Sequence, residues 1–126
     1  MRYRSIAAAL GAAALASTAA AAPAGDAAAG KELFSEQCML CHSAVSTPGG
    51  GGGGPDLNGV VGRKPASVDG FTYTRALKAK TDAWTPELLN TFLTDPQAYA
   101  SGTSMPVNLS EAKDRADVIA YLSTLK

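Results

Sequence analysis

A chain of 126 residues, 46% hydrophobic and 17% charged, has room for one folded domain and little left for a second. Its formal charge of zero excludes the strongly basic face that nucleic-acid binding needs. With two cysteines and one histidine in the whole chain, any metal or redox chemistry has very few side chains to work with.

Arg2 and Arg4 precede an Ala/Leu-rich run that continues to Ala22, the charged-then-apolar order of a secretory signal. Small residues from Ala19 to Ala22 offer several cleavage frames, so the expected division is a signal peptide over residues 1–22, with an approximate cut, and one domain over residues 23–126. An uncleaved anchor is the alternative, since Ser5 to Ala22 matches the shortest spanning helices. Against it, alanine is only weakly apolar and Ser17 and Thr18 interrupt the run. Cleavage removes two of the eleven basic residues and no acidic one, leaving nine against eleven and a net charge of minus two. The expected destination is the periplasm, where a lone pair of cysteines would by default form a disulfide.

Asp26 can cap a helix whose body runs from Ala27 to about Gln37, with Leu33 and Phe34 on its inward side, ending at the cysteines. From Ser43 to Gly70 neither a helical nor an alternating period is visible, and the six glycines Gly49 to Gly54 suit no regular element. A loop of that size argues against a compact domain unless it wraps a ligand. Thr74 to about Lys80 predicts a short helix, and Thr85, Pro86 and Glu87 give the start signal of another. The latter carries Leu88, Leu89, Phe92 and Leu93 at helical spacing and stops near Asp95, because Pro96 drives the preceding residue out of helical geometry. Gln97 to Leu109 reads as irregular chain, after which Ser110 caps a final helix with Val118, Ile119, Tyr121, Leu122 and Leu125 as its apolar stripe. The expected class is all-α, three to four short helices joined by long loops. So few large apolar side chains would leave such a domain marginal on its own burial, and a buried cofactor would complete the core.

Cys38-Met39-Leu40-Cys41-His42 is the C-x-x-C-H sequence of covalent haem attachment. Two thiols at this spacing can each add to one haem vinyl group, and the next residue then points at the iron, which makes His42 the proximal ligand. Thiol–disulfide exchange would need a βαβ frame that is not visible. Structural zinc would find three ligands here and no further Cys or His. A plain disulfide or a chance match is the dullest alternative. A second histidine ligand is impossible, so a thioether is the natural second axial group. Met1 leaves with the signal and Met39 lies inside the attachment loop, too close to His42 to reach the opposite face. Met105 remains, in the irregular setting Gly102-Thr103-Ser104-Met105-Pro106, with ordinary core filling as its other reading.

With these residues the chain resembles the class I c-type cytochromes, of the mitochondrial and photosynthetic-bacterial type, from about Gly30 to the C-terminus. Besides C-x-x-C-H, the matching pieces are Gly30 with Phe34, Gly-Pro-Asp-Leu-Asn-Gly from Gly54, Gly-Arg-Lys from Gly62, and Gly-Phe-Thr-Tyr-Thr from Gly70. They continue through Trp84, the methionine loop from Gly102 to Pro106, and Asp117-Val118-Ile119-Ala120-Tyr121-Leu122. The resemblance implies the cytochrome c fold wrapped around one haem c, held covalently by Cys38 and Cys41 and axially by His42 and Met105, in an electron carrier rather than an enzyme. It also implies that Pro55 buttresses His42 through its carbonyl. Arg63, Tyr73 and Trp84 would surround a haem propionate. Gly30, Phe34, Val118 and Tyr121 would form the contact between first and last helices. The chain departs from the pattern at Phe92, where tyrosine is usual, at Leu77, where asparagine is common, and at Asn58, where many relatives carry histidine. Losing the tyrosine hydroxyl strengthens sulfur donation and lowers the potential, while a drier pocket raises it, so the two effects oppose.

The expected function is a soluble, monomeric, periplasmic shuttle moving one electron at a time. Its partners would be membrane respiratory or photosynthetic complexes, or periplasmic reductases and dehydrogenases. Lys64, Lys78, Lys80 and Lys113 could form a thin version of the docking lysines of mitochondrial relatives, with weak steering at a net charge of minus two. The alternatives are a haem enzyme or gas sensor with a displaceable sixth ligand, and an electron-transfer subunit of a dehydrogenase complex.

Overall fold

The computed structural model describes residues 24–126, so the signal-or-anchor segment and its cleavage site lie outside the described residues. Asp26 turns extended chain into helix α1 (Ala27–Leu33): its carboxylate accepts from the N–H groups of Ala28 and Ala29 at 2.9 and 3.3 Å, two of the donors that a helix start leaves unpaired. The sequence predicts a plain helix to about Gln37. The chain instead widens into a π-helical turn, Phe34–Cys38, closed by the Met39 N–H donating to the Phe34 carbonyl at 3.0 Å. Turns of this kind are rare and concentrate at functional sites. Directly after it, the N–H groups of Cys41 and His42 both donate to the Cys38 carbonyl, at 3.1 and 2.9 Å, so the attachment motif is coiled tightly onto the end of the helix.

Four more helices follow a long looped stretch: α2 (Arg75–Lys78), α3 (Pro86–Thr94), α4 (Pro96–Tyr99) and α5 (Ala112–Leu122), with no strand among the described residues. The class is all-α as expected, with five α-helices rather than three or four. Thr85 caps α3 through its hydroxyl, which accepts from the Leu88 N–H at 3.1 Å. Helix α4 lies in a stretch that the sequence reads as irregular. Its start repeats that of α3, a capping side chain before proline: the Asp95 carboxylate accepts from the Ala98 N–H at 3.0 Å. The final helix begins at Ala112 rather than after a Ser110 cap, because the Ser110 carbonyl is taken by Arg115 at 2.7 Å. The same guanidinium reaches the Leu109 carbonyl at 2.7 Å and Asn90 on α3 at 2.8 Å, stapling the loop and two helices together. Among the described residues no helix is long and apolar enough to cross a membrane.

The tightest packing is the crossing of α1 and α5. Phe34 and Val118 are almost wholly excluded from solvent, and the Phe34 and Tyr121 rings lie 5.3 Å apart. A Cβ on Gly30 would fall on the Asp117 carbonyl, so the helices meet backbone to backbone where only glycine fits. Asp117, buried on α5, accepts from the Asp26 N–H at 2.8 Å and from Lys113 at 2.6 Å, tying the start of α1 to the last helix. On the other side Trp84, Phe92 and Tyr99 pack at centroid distances of 5.3 to 5.6 Å. Trp84 and Phe92 of this cluster also line a cavity.

Gly30→Ala gains about 1 kcal/mol of helix propensity but forces an overpacked crossing that costs about 1–3 kcal/mol or more. A net lower denaturant midpoint is expected, measured by chemical unfolding. Lys113 and the Asp26 N–H hold the Asp117 carboxyl below its ordinary value. A folded-state pKa depressed in this way stabilises fully above the unfolded value of about 4 and is lost as pH falls through the lower folded one. Unfolding free energy measured against pH should therefore fall less steeply in the acid range for Asp117→Asn than for the parent chain.

Candidate cofactor site

The site grows from the end of the π-helical turn. His42 donates from Nδ1 to the Pro55 carbonyl at 2.7 Å, the buttress expected from the resemblance. That bond fixes the tautomer and leaves the Nε2 lone pair free. Burial pushes the imidazole below its ordinary pKa, against the opposing pull of the Pro55 bond, so the ring is neutral near pH 7. No disulfide joins Cys38 and Cys41. Burial drives the Cys38 thiol up to about 11, an environment that suits an uncharged thioether better than a thiolate.

Of the six glycines, for which the sequence offers no role, Gly51 to Gly54 form a collar around this motif. Gly54 lies flat on the imidazole: a Cβ there would sit 2.5 Å from Cε1 and 2.7 Å from Nδ1 of His42. One at Gly51 would meet the Ser43 nitrogen at 2.6 Å. The collar is closed by the Gly54 N–H donating to the Cys41 carbonyl at 2.9 Å, and by the Gly51 N–H donating to the Gly54 carbonyl at 3.1 Å. The signal in the sequence was the absence of any Cβ next to a histidine, but sequence alone does not show what those positions face.

Cys38, Cys41, His42, Pro55, Arg63, Tyr73, Trp84 and Met105 all line one cavity of about 170 Å³. The structure thus brings together every site residue named from the sequence. Leu57, Val60, Leu77, Leu89 and Phe92 supply apolar wall. Met105 sits on the loop after α4, which Gln97 clamps by donating to the Thr103 carbonyl at 2.6 Å and accepting from the Gly102 N–H at 3.2 Å. Gln97 was invisible to sequence reasoning because α4 was.

The three residues expected around a propionate are differently engaged. The Tyr73 hydroxyl accepts from the Val68 N–H at 3.2 Å, which leaves its own proton available. Trp84 is locked by its backbone, donating to the Arg63 carbonyl at 2.9 Å and accepting from the Gly62 N–H at 2.7 Å. Arg63 is not a free cation: it is paired with the buried carboxylate of Asp56 at 3.3 Å, a partner the sequence reading did not single out. Thr74, also missed, lines the cavity with a buried hydroxyl that has no hydrogen-bond partner. Two cysteines not bridged to each other, a neutral imidazole with a spare nitrogen, a thioether and an orphaned hydroxyl around an apolar cavity fit a large flat group that carries carboxylates and is held by thioether bonds. Haem c is such a group. Zinc fits poorly, since among the described residues no three His, Cys, Asp or Glu side chains converge on one point.

Comparison with known proteins points the same way. The family model for cytochrome c matches residues 27–126. The chain is 49% identical over 98 residues to the cytochrome c-type cyt cy of Rhodobacter capsulatus, an alignment covering 77% of this chain and 48% of the relative. It is 45% identical over 94 residues to a cytochrome c of Gibberella zeae (74% of this chain, 88% of the relative) and 44% identical over 85 residues to one of Trypanosoma brucei brucei (67% and 91%). The chain therefore spans about half the length of the Rhodobacter relative and most of the other two.

Gly54→Ala should push the imidazole off the Pro55 carbonyl, at the roughly 1–3 kcal/mol typical of overpacking. The expected readout is a lower yield of haem-bearing protein and a lower denaturant midpoint in what does mature, while Gly59→Ala, whose Cβ would meet nothing within 4 Å, bears only its backbone strain.

Proposed function

The chain belongs to the cytochrome c family, whose members carry one covalently bound haem c and transfer electrons, and from that premise we propose that it is an exported periplasmic shuttle linking respiratory or photosynthetic redox partners. In this reading residues 1–22 are removed as a signal and residues 23–126 form the monohaem domain. The bound haem would supply an iron that gains and loses a single electron.

The chain's own residues hold that iron in an unchanging frame. Cys38 and Cys41 anchor the macrocycle, His42 offers Nε2 and Met105 offers its sulfur. Arg63, Tyr73 and Trp84, joined by the orphaned Thr74 hydroxyl, would take up propionate oxygens. The observation that carries the ligand assignment is the 2.7 Å His42–Pro55 bond, which leaves Nε2 available on a cavity that Met105 also lines. Both ligands are pinned from behind, His42 by the glycine collar and the Met105 loop by Gln97. Fixed ligands mean little rearrangement between oxidation states, which suits a carrier. A His/Met pair favours a relatively high potential.

Docking by charge is weak in this reading. Lys113 is paired with Asp117 at 2.6 Å, and the Lys80 ammonium lies over the Tyr99 ring at 4.4 Å, which leaves Lys64 and Lys78 as the exposed lysines of the four without such a contact. Association rates with a redox partner should accordingly change only shallowly with ionic strength in stopped-flow measurements.

Met105→Leu is close to volume-conserving and should cost less than about 1.5 kcal/mol. The oxidised parent should show the sulfur-to-iron charge-transfer absorption, and the variant should lose it and gain carbon monoxide binding in the reduced state. A parent lacking that absorption would favour an enzyme or gas sensor with an open sixth position.

A further inference from the structure

Asp56 is a buried carboxylate behind the cavity-lining Arg63. It is 4% exposed, and four hydrogen bonds converge on its atoms. One carboxylate oxygen accepts from the Asn58 N–H at 3.2 Å and from Arg63 at 3.3 Å, and the other accepts from the Thr47 N–H at 3.3 Å. Its backbone carbonyl accepts from Arg63 at 2.7 Å, and Arg63 also donates to the Asn58 carbonyl at 2.7 Å. Stability alone does not account for such a pair, since replacing a buried ion pair by apolar side chains is often neutral or favourable. Its placement offers another account.

Asp56 directly follows Pro55, so the ties from Thr47, Asn58 and Arg63 hold the stretch of chain whose carbonyl receives the His42 N–H. It also sits against Arg63 on the cavity wall and offsets part of that positive charge. Charges in a poorly screened interior act over longer distances than on the surface. The Tyr73 phenol on the same wall senses both groups: burial raises its pKa, and the Arg63 and Asp56 charges then act on it in opposite directions.

We propose that Asp56 is a positioning residue for electron transfer, whose carboxylate fixes the Pro55 carbonyl behind His42 and offsets Arg63, setting the midpoint potential below the value that Arg63 alone would give. The proposal rests on the haem reading, whose own failure would show separately as protein that purifies colourless.

The test is a set of redox titrations on holoprotein produced with haem maturation machinery. Asp56→Asn keeps the side-chain shape and removes the negative charge, so it should raise the midpoint by an amount on the order of a tenfold change in the oxidised-to-reduced ratio, about 59 mV for one electron. Arg63→Gln should lower the midpoint, and the double variant should fall between the two single ones. The sulfur-to-iron absorption should persist throughout, separating a charge effect from loss of a ligand. A merely structural Asp56 would lower unfolding stability without moving the potential. The proposal is overturned by an Asp56→Asn midpoint equal to or below that of the parent, or by a raised midpoint accompanied by loss of the absorption. If Asp56→Asn yields no holoprotein, a double variant whose midpoint matches Arg63→Gln alone overturns it equally.

Discussion

One hydrogen bond, from His42 Nδ1 to the Pro55 carbonyl, organises the rest of the site. It joins the coiled attachment motif at the end of α1 to a loop thirteen residues further on, and it decides which imidazole nitrogen is free. To make it, the chain must come close enough that a Cβ at Gly54 would collide with the ring. The glycine collar is therefore the steric condition for the bond, and the ties around Asp56 are what keep the carbonyl in place. A segment with no regular structure is in this sense as determined as a helix.

That economy is visible across the molecule. Its protein core is small, and much of the apolar surface of α3 and of the methionine loop lines a cavity instead of meeting another helix. The polar groups that would be costly to bury are mostly paired locally: Arg63 with Asp56, Arg115 with two loop carbonyls, Gln97 with both sides of the turn before Met105. The unpaired hydroxyl of Thr74 is the exception, and it lies on the cavity. An apolar, carboxylate-bearing macrocycle would meet both needs at once, filling the volume and offering the orphan a partner.

The crossing of α1 and α5 serves a different purpose. It contains none of the groups assigned to the cofactor, and its contacts join the two ends of the domain, with Asp117 reaching the Asp26 N–H at the start of α1. By fixing α1 it fixes the helix whose π-helical end presents Cys38. The chemistry thus depends on a contact between residues 91 positions apart in sequence.

How much of this was legible beforehand follows from the range of the interactions. The motif at Cys38, Cys41 and His42 needs only neighbouring residues, and the single histidine left Met105 as the candidate by elimination, so the expectation of a haem and its axial pair came from composition and spacing, whereas Pro55, Arg63, Tyr73 and Trp84 were expected only from the family resemblance. Helix starts at Asp26 and Thr85 were legible for the same reason, since a cap acts over three residues. What required the folded chain were the encounters between distant segments: the Gly54 backbone laid on His42, the burial of Asp56 against Arg63, the Arg115 staple that shifts the start of α5, and the loss of Lys113 to Asp117 as a docking charge. Sequence determined which groups were available to hold a haem; tertiary structure decided which charges are already neutralised and which backbone must pass without a side chain, because both depend on what stands opposite in space.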